Sequence, residues 1–403
     1  MKRATVIIGA NFGDEGKGLF TDWQVSQSGS GTLVVRHNGG AQAGHTVITP
    51  EGKRHVFGHF GSGTFCGATT FLSRHFVCNP LLFLRERAKL ERLGLVPDIA
   101  VDILAPVTTP YDMMINQIVE DSRGVARHGS CGVGFGETLE RQEQAGFRLT
   151  VRDMSNAKRL RDIRDIWMPR RLAALGITTL PDIWKERIAN ETILEGYLEA
   201  AHAFLNHIHP VGPHFLANWP GPVVFEGAQG LLLDQNSPFF PHVTRSSTGL
   251  TNAVALAEDA GIEGLDVIYA TRSYLTRHGA GPLPGELPDK PYPGITDPTN
   301  APNLYQGHLR FAWLNLDLLE TSILQDLASA RTRMDINPCI GMSCMDQIEG
   351  EATFTHKGCH KQASPEAMLD TLRTVLGFET VLASYGPTRA CVTQKAGLSL
   401  AVL

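Results

Sequence analysis

Residues 11–18, Asn11-Phe12-Gly13-Asp14-Glu15-Gly16-Lys17-Gly18, put three glycines, two carboxylates and a lysine into one short stretch. Glycines let backbone N–H groups converge on anionic oxygens, and a lysine at the start of a helix adds positive potential, so the chemistry suggested is phosphate binding. The spacing is not that of a Walker loop. Two residues separate Gly13 from Gly16, where four would precede Gly-Lys, and Gly18 stands where a magnesium-binding Ser or Thr is expected. Two carboxylates would repel phosphate unless they act on a metal ion or on a proton. The alternative is a structural turn with solvated Asp14 and Glu15.

A phosphate loop needs a strand before it and a helix after it. The run Ala4-Thr5-Val6-Ile7-Ile8-Gly9-Ala10 is apolar and β-branched, which suits a strand buried on both faces of a mainly parallel sheet, and Leu19-Phe20-Thr21-Asp22-Trp23 reads as a helix start. Similar strand runs recur at residues 32–36, 222–226 and 265–271, each leading into a Gly-rich or polar loop. Helical periodicity is expected over about 81–94, 157–174, 189–208, 314–330 and 365–376. In open α/β sheets ligands gather at the carboxyl ends of strands, which is where these loops fall. The Pro/Gly-rich stretch Gly279 to Pro302 reads as a long mobile loop. The expectation is an α/β fold, a large mainly parallel twisted sheet with flanking helices, built as one domain over residues 1–403 with inserted helical pieces.

A formal charge of −5 over 403 residues argues against binding to nucleic acid polymers, which needs a clustered positive surface, but not against a nucleotide monomer. No 18-residue apolar span is present, and Met1-Lys2-Arg3-Ala4 leads directly into a strand pattern, so no membrane association and a cytoplasmic location are expected. Seven scattered cysteines read as free thiols. His356, Cys359 and His360 lack a second half at zinc-site spacing and read as a polar turn.

Further segments fall in order along the chain. Asn38-Gly39-Gly40-Ala41-Gln42-Ala43-Gly44-His45-Thr46 is followed by Phe225-Glu226-Gly227-Ala228-Gln229-Gly230-Leu231-Leu232-Leu233-Asp234, then Pro241-His242-Val243-Thr244, then Thr276-Arg277-His278-Gly279-Ala280-Gly281-Pro282-Leu283-Pro284, and Ser384-Tyr385-Gly386-Pro387. With the first loop, this set resembles the adenylosuccinate synthetases, whose loop reads W-G-D-E-G-K-G and whose later motifs read G-G-x-N-A-G-H-T, F-E-G-A-Q-G-x-L-L-D, T-R-V-G-A-G-P-F-P and S-T-G-P. The matches spread over essentially the whole chain.

The resemblance implies an ATP- or GTP-driven ligase that joins L-aspartate to C6 of a purine nucleoside monophosphate. It implies Asp14 as the general base for the N1 proton and His45 as the partner acid that steadies charge on the 6-oxygen and the γ-phosphoryl group. Lys17, with the N–H groups of Gly13, Asp14, Glu15, Gly16 and Gly18, would hold the triphosphate, helped by Gly44, His45, Thr46, Asp346, Ser384 and Gly386. Magnesium would be held by Asp14 and the Gly44 carbonyl. The acceptor nucleotide would meet Asp14, Lys17, Gln42, Ala43, Gly44 and His45, with Gln229 at the base and Ser130, Cys131 and Thr244 at the 5′-phosphate. A homodimer is implied as well. The chemistry is coherent without the resemblance: oxide is a poor leaving group, so phosphorylation of the 6-oxygen before amine attack is the sensible route.

The chain departs from the family pattern at informative places. Where the family reads T/N-K-x-D to recognise guanine, this chain has Ser343-Cys344-Met345-Asp346, which makes ATP or dATP a candidate donor. Gln42 replaces an asparagine, Phe12 a tryptophan and Cys131 a threonine. Most of an arginine-rich loop is replaced by residues 305–313, leaving Arg310 as the candidate to grip the aspartate carboxylate. Such changes resemble the phage-type branch that aminates dGMP on the way to 2-aminoadenine DNA, although that branch often lacks the aspartate retained here as Asp14. The reading favours dGMP over IMP; the ordinary reaction with IMP and GTP, a nucleotide-binding switch that only hydrolyses triphosphate, and a nucleotide kinase are the competitors.

Overall fold

The computed structural model describes residues 2–124, 130–297 and 308–396. Through the first half of the chain the strands are β1 (Arg3–Gly9), β2 (Leu33–Arg36), β3 (His45–Ile48), β4 (Arg54–Phe57), β5 (Thr69–Leu72), β6 (Ile99–Asp102) and β7 (His209–Val211). They continue as β8 (Val223–Gly230), β9 (Gly264–Arg272), β10 (Tyr274–Arg277), β11 (Arg310–Asn315) and β12 (Asp335–Ser343). The last four are β13 (Ala352–His356), β14 (Cys359–Ala363), β15 (Thr380–Ser384) and β16 (Val392–Ala396).

Ten of these form one sheet in the order β16-β15-β12-β9-β1-β8-β2-β5-β6-β7. Every pairing in it is parallel except β15 with β16. The first strand lies near the middle, between β8 and β9, which is why Val6, Ile7 and Ile8 are all fully buried: a strand covered on both faces has no polar side. The four runs read as strands from β-branched composition are β1, β2, β8 and β9. A four-stranded sheet, β10-β11-β13-β14, and the hairpin β3-β4 stand apart from the main sheet.

Helix α1 (Lys17–Ser28) follows the loop directly, capped by Gly16 at φ 88°. The periodic segments form helices at Pro80–Arg92, Glu191–Asn206, Leu316–Arg331 and Pro365–Leu376, and the 157–174 stretch is one helical run with a π-turn at Ile163–Trp167. Helices at Pro110–Arg123, Phe135–Gln142, Asp182–Ala189 and Thr251–Asp259 were not anticipated. The first of them carries a Thr109/Asp112 capping box with Pro at its first turn, a start signal present in the sequence. One apolar core packs on the β1/β8/β9/β12 region and a second unites the helices around residues 76–208 with β5 and β6.

The loop expected from Gly279 to Pro302 lies within the described residues only as far as Asp297, and that part is anchored. Tyr292 and Ile295 are buried against Tyr274, Glu286 bridges to Ala312, and Asp297 pairs with Arg272 at 2.9 Å. Scattered apolar residues among prolines and glycines give no periodicity, so these anchors are invisible to pattern reading. The His356, Cys359, His360 segment is the β13–β14 hairpin, turning at Lys357 and Gly358 with positive φ at both. The cysteines of the described residues are all free thiols.

Candidate functional site

The loop between β1 and α1 is held from within. Glu15, almost wholly buried, accepts hydrogen bonds through Oε1 from the N–H of Asn11 (3.0 Å) and of Gly13 (2.7 Å), and through Oε2 from Lys17 Nζ at 2.7 Å. One of the two unexpected carboxylates therefore serves neither metal nor purine proton in this conformation; it shapes the loop and parks the lysine. The pair lies so close to the strand end that a Cβ on Gly9 would fall 2.3 Å from Glu15 Oε2, and it would also meet the Gln229 backbone carbonyl at 2.6 Å, a contact that cannot give way as a side chain can. Ser343, at the end of β12, supports the loop by donating to the Glu15 carbonyl at 3.1 Å.

Asp14 sits at the outer turn with φ 57°, a left-handed conformation that costs a non-glycine residue roughly 1–2 kcal/mol. Arg272 Nε donates to its backbone carbonyl, and Arg272 is in turn fixed by Asp297 and Tyr274. The Asp14 carboxylate is partly exposed, and its Oδ2 lies 3.4 Å from His278 Nε2. Sequence reasoning gave His278 no role.

His45 opens β3 and is buried. Its Nδ1 is 2.6 Å from Glu226 Oε1, and Glu226 also accepts from the Ser62 N–H at 3.0 Å and from the Ser62 hydroxyl. Burial holds His45 below its ordinary range against the pull of Glu226, so the resting imidazole is neutral with its proton on Nδ1. Burial also opposes ionisation of Glu226, but His45, Arg36 and the hydrogen bonds from His45 and Ser62 prevail and hold its carboxyl down at about 2. His45 Nε2 is buried with no hydrogen-bond partner among the described residues. Close approach brings this dyad to the loop: a Cβ on Gly18 would lie 2.9 Å from the Thr46 carbonyl and 3.2 Å from His45 Cβ.

Gln229, at the end of β8, adopts φ 66°, and a Cβ on Gly13 would lie 3.7 Å from its Oε1, so its amide flanks the outer turn. Gln42 is partly buried with Nε2 unpartnered among the described residues, and Ala43 is buried beside exposed Gly44. Phe12 lies against Phe239, ring centroids 5.0 Å apart, under the Arg277 guanidinium at 4.5 Å. Of the turn expected to hold the 5′-phosphate, Gly129 lies outside the described residues. Ser130 accepts from Asn116 Nδ2 at 2.9 Å, and burial raises the Cys131 thiol. Thr244 donates its N–H to Leu233, which places it on the segment following Gln229.

Asp346 follows the carboxyl end of β12 and Ser384 is the last residue of β15, its parallel neighbour, on the same edge as the loop. Asp346 is exposed, Cys344 has φ 63°, and the Ser384 hydroxyl donates to the Gly386 carbonyl at 2.7 Å. Arg310 is placed differently from the expectation of a free fork. It pairs with Glu286 at 2.7 Å and donates to the carbonyls of Gly279 (2.9 Å) and Gly281 (2.7 Å), so a substrate carboxylate would have to replace Glu286. Residues 305–307 lie outside the described residues.

Residues 6–334 match the family model described as adenylosuccinate synthetase. The chain belongs to the adenylosuccinate synthetase family. Relatives named adenylosuccinate synthetase include that of Prochlorococcus marinus subsp. pastoris, 32% identical over 295 residues covering 70% of this chain and 64% of the relative, and that of Microcystis aeruginosa, 33% identical over 294 residues covering 70% and 62%. The matched region thus spans less than two thirds of those relatives' length. Among solved structures, the fully ligated adenylosuccinate synthetase of Plasmodium falciparum superposes with a TM-score of 0.73 at 18% identity, covering 97% of this chain and 99% of that one. Cyanophage S-2L succinoaminodeoxyadenylate synthetase, bound to dGMP and to dATP as an energy donor, superposes with 0.62 at 15%, covering 98% and 95%. These structural likenesses establish the large α/β sheet fold of the family. No helix among the described residues is long and apolar enough to cross a membrane.

Proposed function

We propose that this chain is a carbon–nitrogen ligase that joins L-aspartate to C6 of a purine nucleoside monophosphate through a 6-phosphoryl intermediate. The observation that carries the reading is the pairing of two devices at one place: a phosphate loop containing Lys17, and the buried His45–Glu226 dyad packed against Gly18 of that loop with a free imidazole nitrogen. A switch that transfers phosphate to water has no use for a buried dyad and a Gln229 amide beside its phosphate loop.

In this reading the Asp14 carboxylate takes the N1 proton, so the N1–H bond breaks and the 6-oxygen becomes nucleophilic. The 6-oxygen attacks the γ-phosphorus while the bond to the bridging oxygen breaks and the diphosphate leaves. His45, protonated as the anionic phosphoryl group approaches, donates Nε2–H to the charge that develops, with Glu226 compensating its positive charge. Lys17 leaves Glu15, or is shared with it, to reach the phosphates. The aspartate amine then displaces phosphate from C6, with Arg310 holding its carboxylate. Gln229 contacts the base; Ser130, Cys131 and Thr244 contact the 5′-phosphate.

Magnesium fits the donors present. Among the described residues no group of three His, Cys, Asp or Glu side chains forms a metal cage, and Asp14 with the Gly44 carbonyl offers hard oxygen ligands to an ion that completes its shell with phosphate and water. Bound there, it would neutralise charge on the transferring phosphoryl group.

The acceptor we propose is dGMP and the donor ATP or dATP, because Cys344 replaces the guanine-selective lysine and the ribose-side arginines are reduced to Arg310. In this reading the chain acts as a member of the phage-type branch, as a homodimer in host cytoplasm. The second reading, IMP with GTP, is favoured by the relatives' name and by the retained Asp14. Incubation with magnesium, aspartate and each pairing of dGMP or IMP with ATP, dATP or GTP, followed by detection of the succinylated nucleotide, decides between them. Phosphate release indifferent to aspartate and acceptor would sink the ligase reading altogether.

A further inference from the structure

We infer that His278 is a positioning residue for Asp14: its Nε2 engages Asp14 Oδ2, which turns the other carboxylate oxygen toward the purine N1–H. The inference rests on the functional reading above. The separation is 3.4 Å, a polar contact that needs little movement to become a hydrogen bond, and such contacts often tighten only when substrate closes the site. Both partners are fixed from their backbones rather than meeting by chance on a surface. Asp14 is held at φ 57° with its carbonyl clamped by Arg272. His278 follows directly on β10, whose last residue, Arg277, donates to the carbonyls of Pro282 and His242 and lies over Phe12 and Phe239. The next residue, Gly279, has its carbonyl held by Arg310. The imidazole itself is mostly covered, and its Nδ1 is buried without a hydrogen-bond partner among the described residues, so nothing on that side of the ring competes with Asp14 for its orientation. A carboxylate with one oxygen engaged presents the other in a single direction, which proton abstraction from a ring nitrogen requires.

The test separates phosphorylation of the acceptor from the aspartate step. A triphosphate labelled in its β,γ-bridging oxygen scrambles that label when its γ-phosphoryl group passes reversibly to the acceptor and the freed β-phosphate rotates, so positional isotope exchange is measured with acceptor present and aspartate absent. His278→Val is expected to slow exchange at least tenfold while the KM of acceptor and triphosphate changes less than threefold, and His278→Gln, which keeps an N–H donor, recovers exchange to within threefold of the unmodified protein. Exchange within twofold of normal in His278→Val, equal loss in both variants, or a KM effect with unchanged rate would each overturn the pairing. Absence of exchange in the unmodified protein overturns the functional reading and this inference with it; normal exchange there with an unaffected Val variant overturns the inference alone.

Discussion

Replacing Glu226 with glutamine tests the dyad without changing its shape. Glu226 Oε1 accepts from His45 Nδ1 and the Ser62 hydroxyl, and Oε2 accepts from the Ser62 N–H. In the lowest-cost orientation the amide oxygen keeps the Oε1 partners and the amide nitrogen faces the Ser62 N–H, donor against donor. Leaving one buried donor unpaired costs about 1–3 kcal/mol of stability. The catalytic effect comes from His45, whose cationic form loses its counter-charge. A hydrogen bond to a charged group contributes about 1.5–3 kcal/mol, so kcat should fall about 10- to 150-fold. Acceptor-dependent phosphate release at saturating substrates reads kcat, and urea unfolding reads stability. Nucleotide KM should stay within about threefold, because the nucleotides do not contact Glu226 in the proposed complex. A folded variant with kcat within twofold of normal would refute the role of the dyad. The pH dependence supplies an independent check. The carboxyl is held at about 2 against an ordinary 4.5, so its ionised form supports the native state fully above about pH 4.5 and the support is lost as pH falls toward 2. The glutamine variant should lack that component of acid unfolding.

Three further outcomes are expected. Because burial keeps His45 neutral in the free protein, binding of a triphosphate beside its free Nε2 should be accompanied by net proton uptake, measured calorimetrically in buffers of different ionisation enthalpy; no uptake, or equal uptake by His45→Gln, would contradict the assignment. His37 is fully buried with neither ring nitrogen partnered among the described residues, and burial lowers its pKa to about 3 from 6.5. The unfolded chain therefore gains a proton that the native state refuses as pH falls from 6.5 toward 3, so His37→Phe should be more stable relative to the unmodified protein by about 2 kcal/mol at pH 5 than at pH 8, read from urea midpoints. Cys344→Lys restores the lysine of the guanine-selective segment at a position whose φ is already positive, and should raise kcat/KM for GTP relative to ATP at least tenfold; an unchanged ratio would show that donor choice is made elsewhere.

The central sheet was legible because strands buried on both faces carry unbroken apolar runs, as at Val6–Ile8, Leu33–Val35, Val223–Phe225 and Val267–Ala270. The amphipathic helices were legible for the complementary reason, that one face meets the core and one meets water. The helix at Pro110–Arg123 carries the same signal, with Tyr111, Met114, Ile115, Ile118 and Val119 buried at helical spacing and a capping box at its start, so its omission lay in the reading and not in the sequence. At the site, residue type pointed to the phosphate loop and the family resemblance pointed to His45 and Gln229, but neither pointed to their supports. Glu226 looked like part of a motif rather than the partner of His45 because the two are 181 residues apart. Glu15 was read as a ligand or base because a buried carboxylate accepting backbone N–H groups has no one-dimensional signature. Arg310 was read as free, and only tertiary packing reveals Glu286 and the two glycine carbonyls that engage it.

The Glu15–Lys17 pair has a consequence for what the loop will admit. Lys17 is already paired with Glu15 at 2.7 Å, and the formal charges of Asp14, Glu15 and Lys17 sum to −1. A lone phosphate arriving there meets repulsion from Asp14 and a cation already engaged. On the proposed function, a phosphate that arrives with a divalent ion would meet a carboxylate able to take the ion, and only then would Lys17 have reason to turn outward. Such a loop would work as a coincidence gate: inorganic phosphate and stray monoanions in a crowded solution would leave it shut, and the complete metal–nucleotide complex would open it.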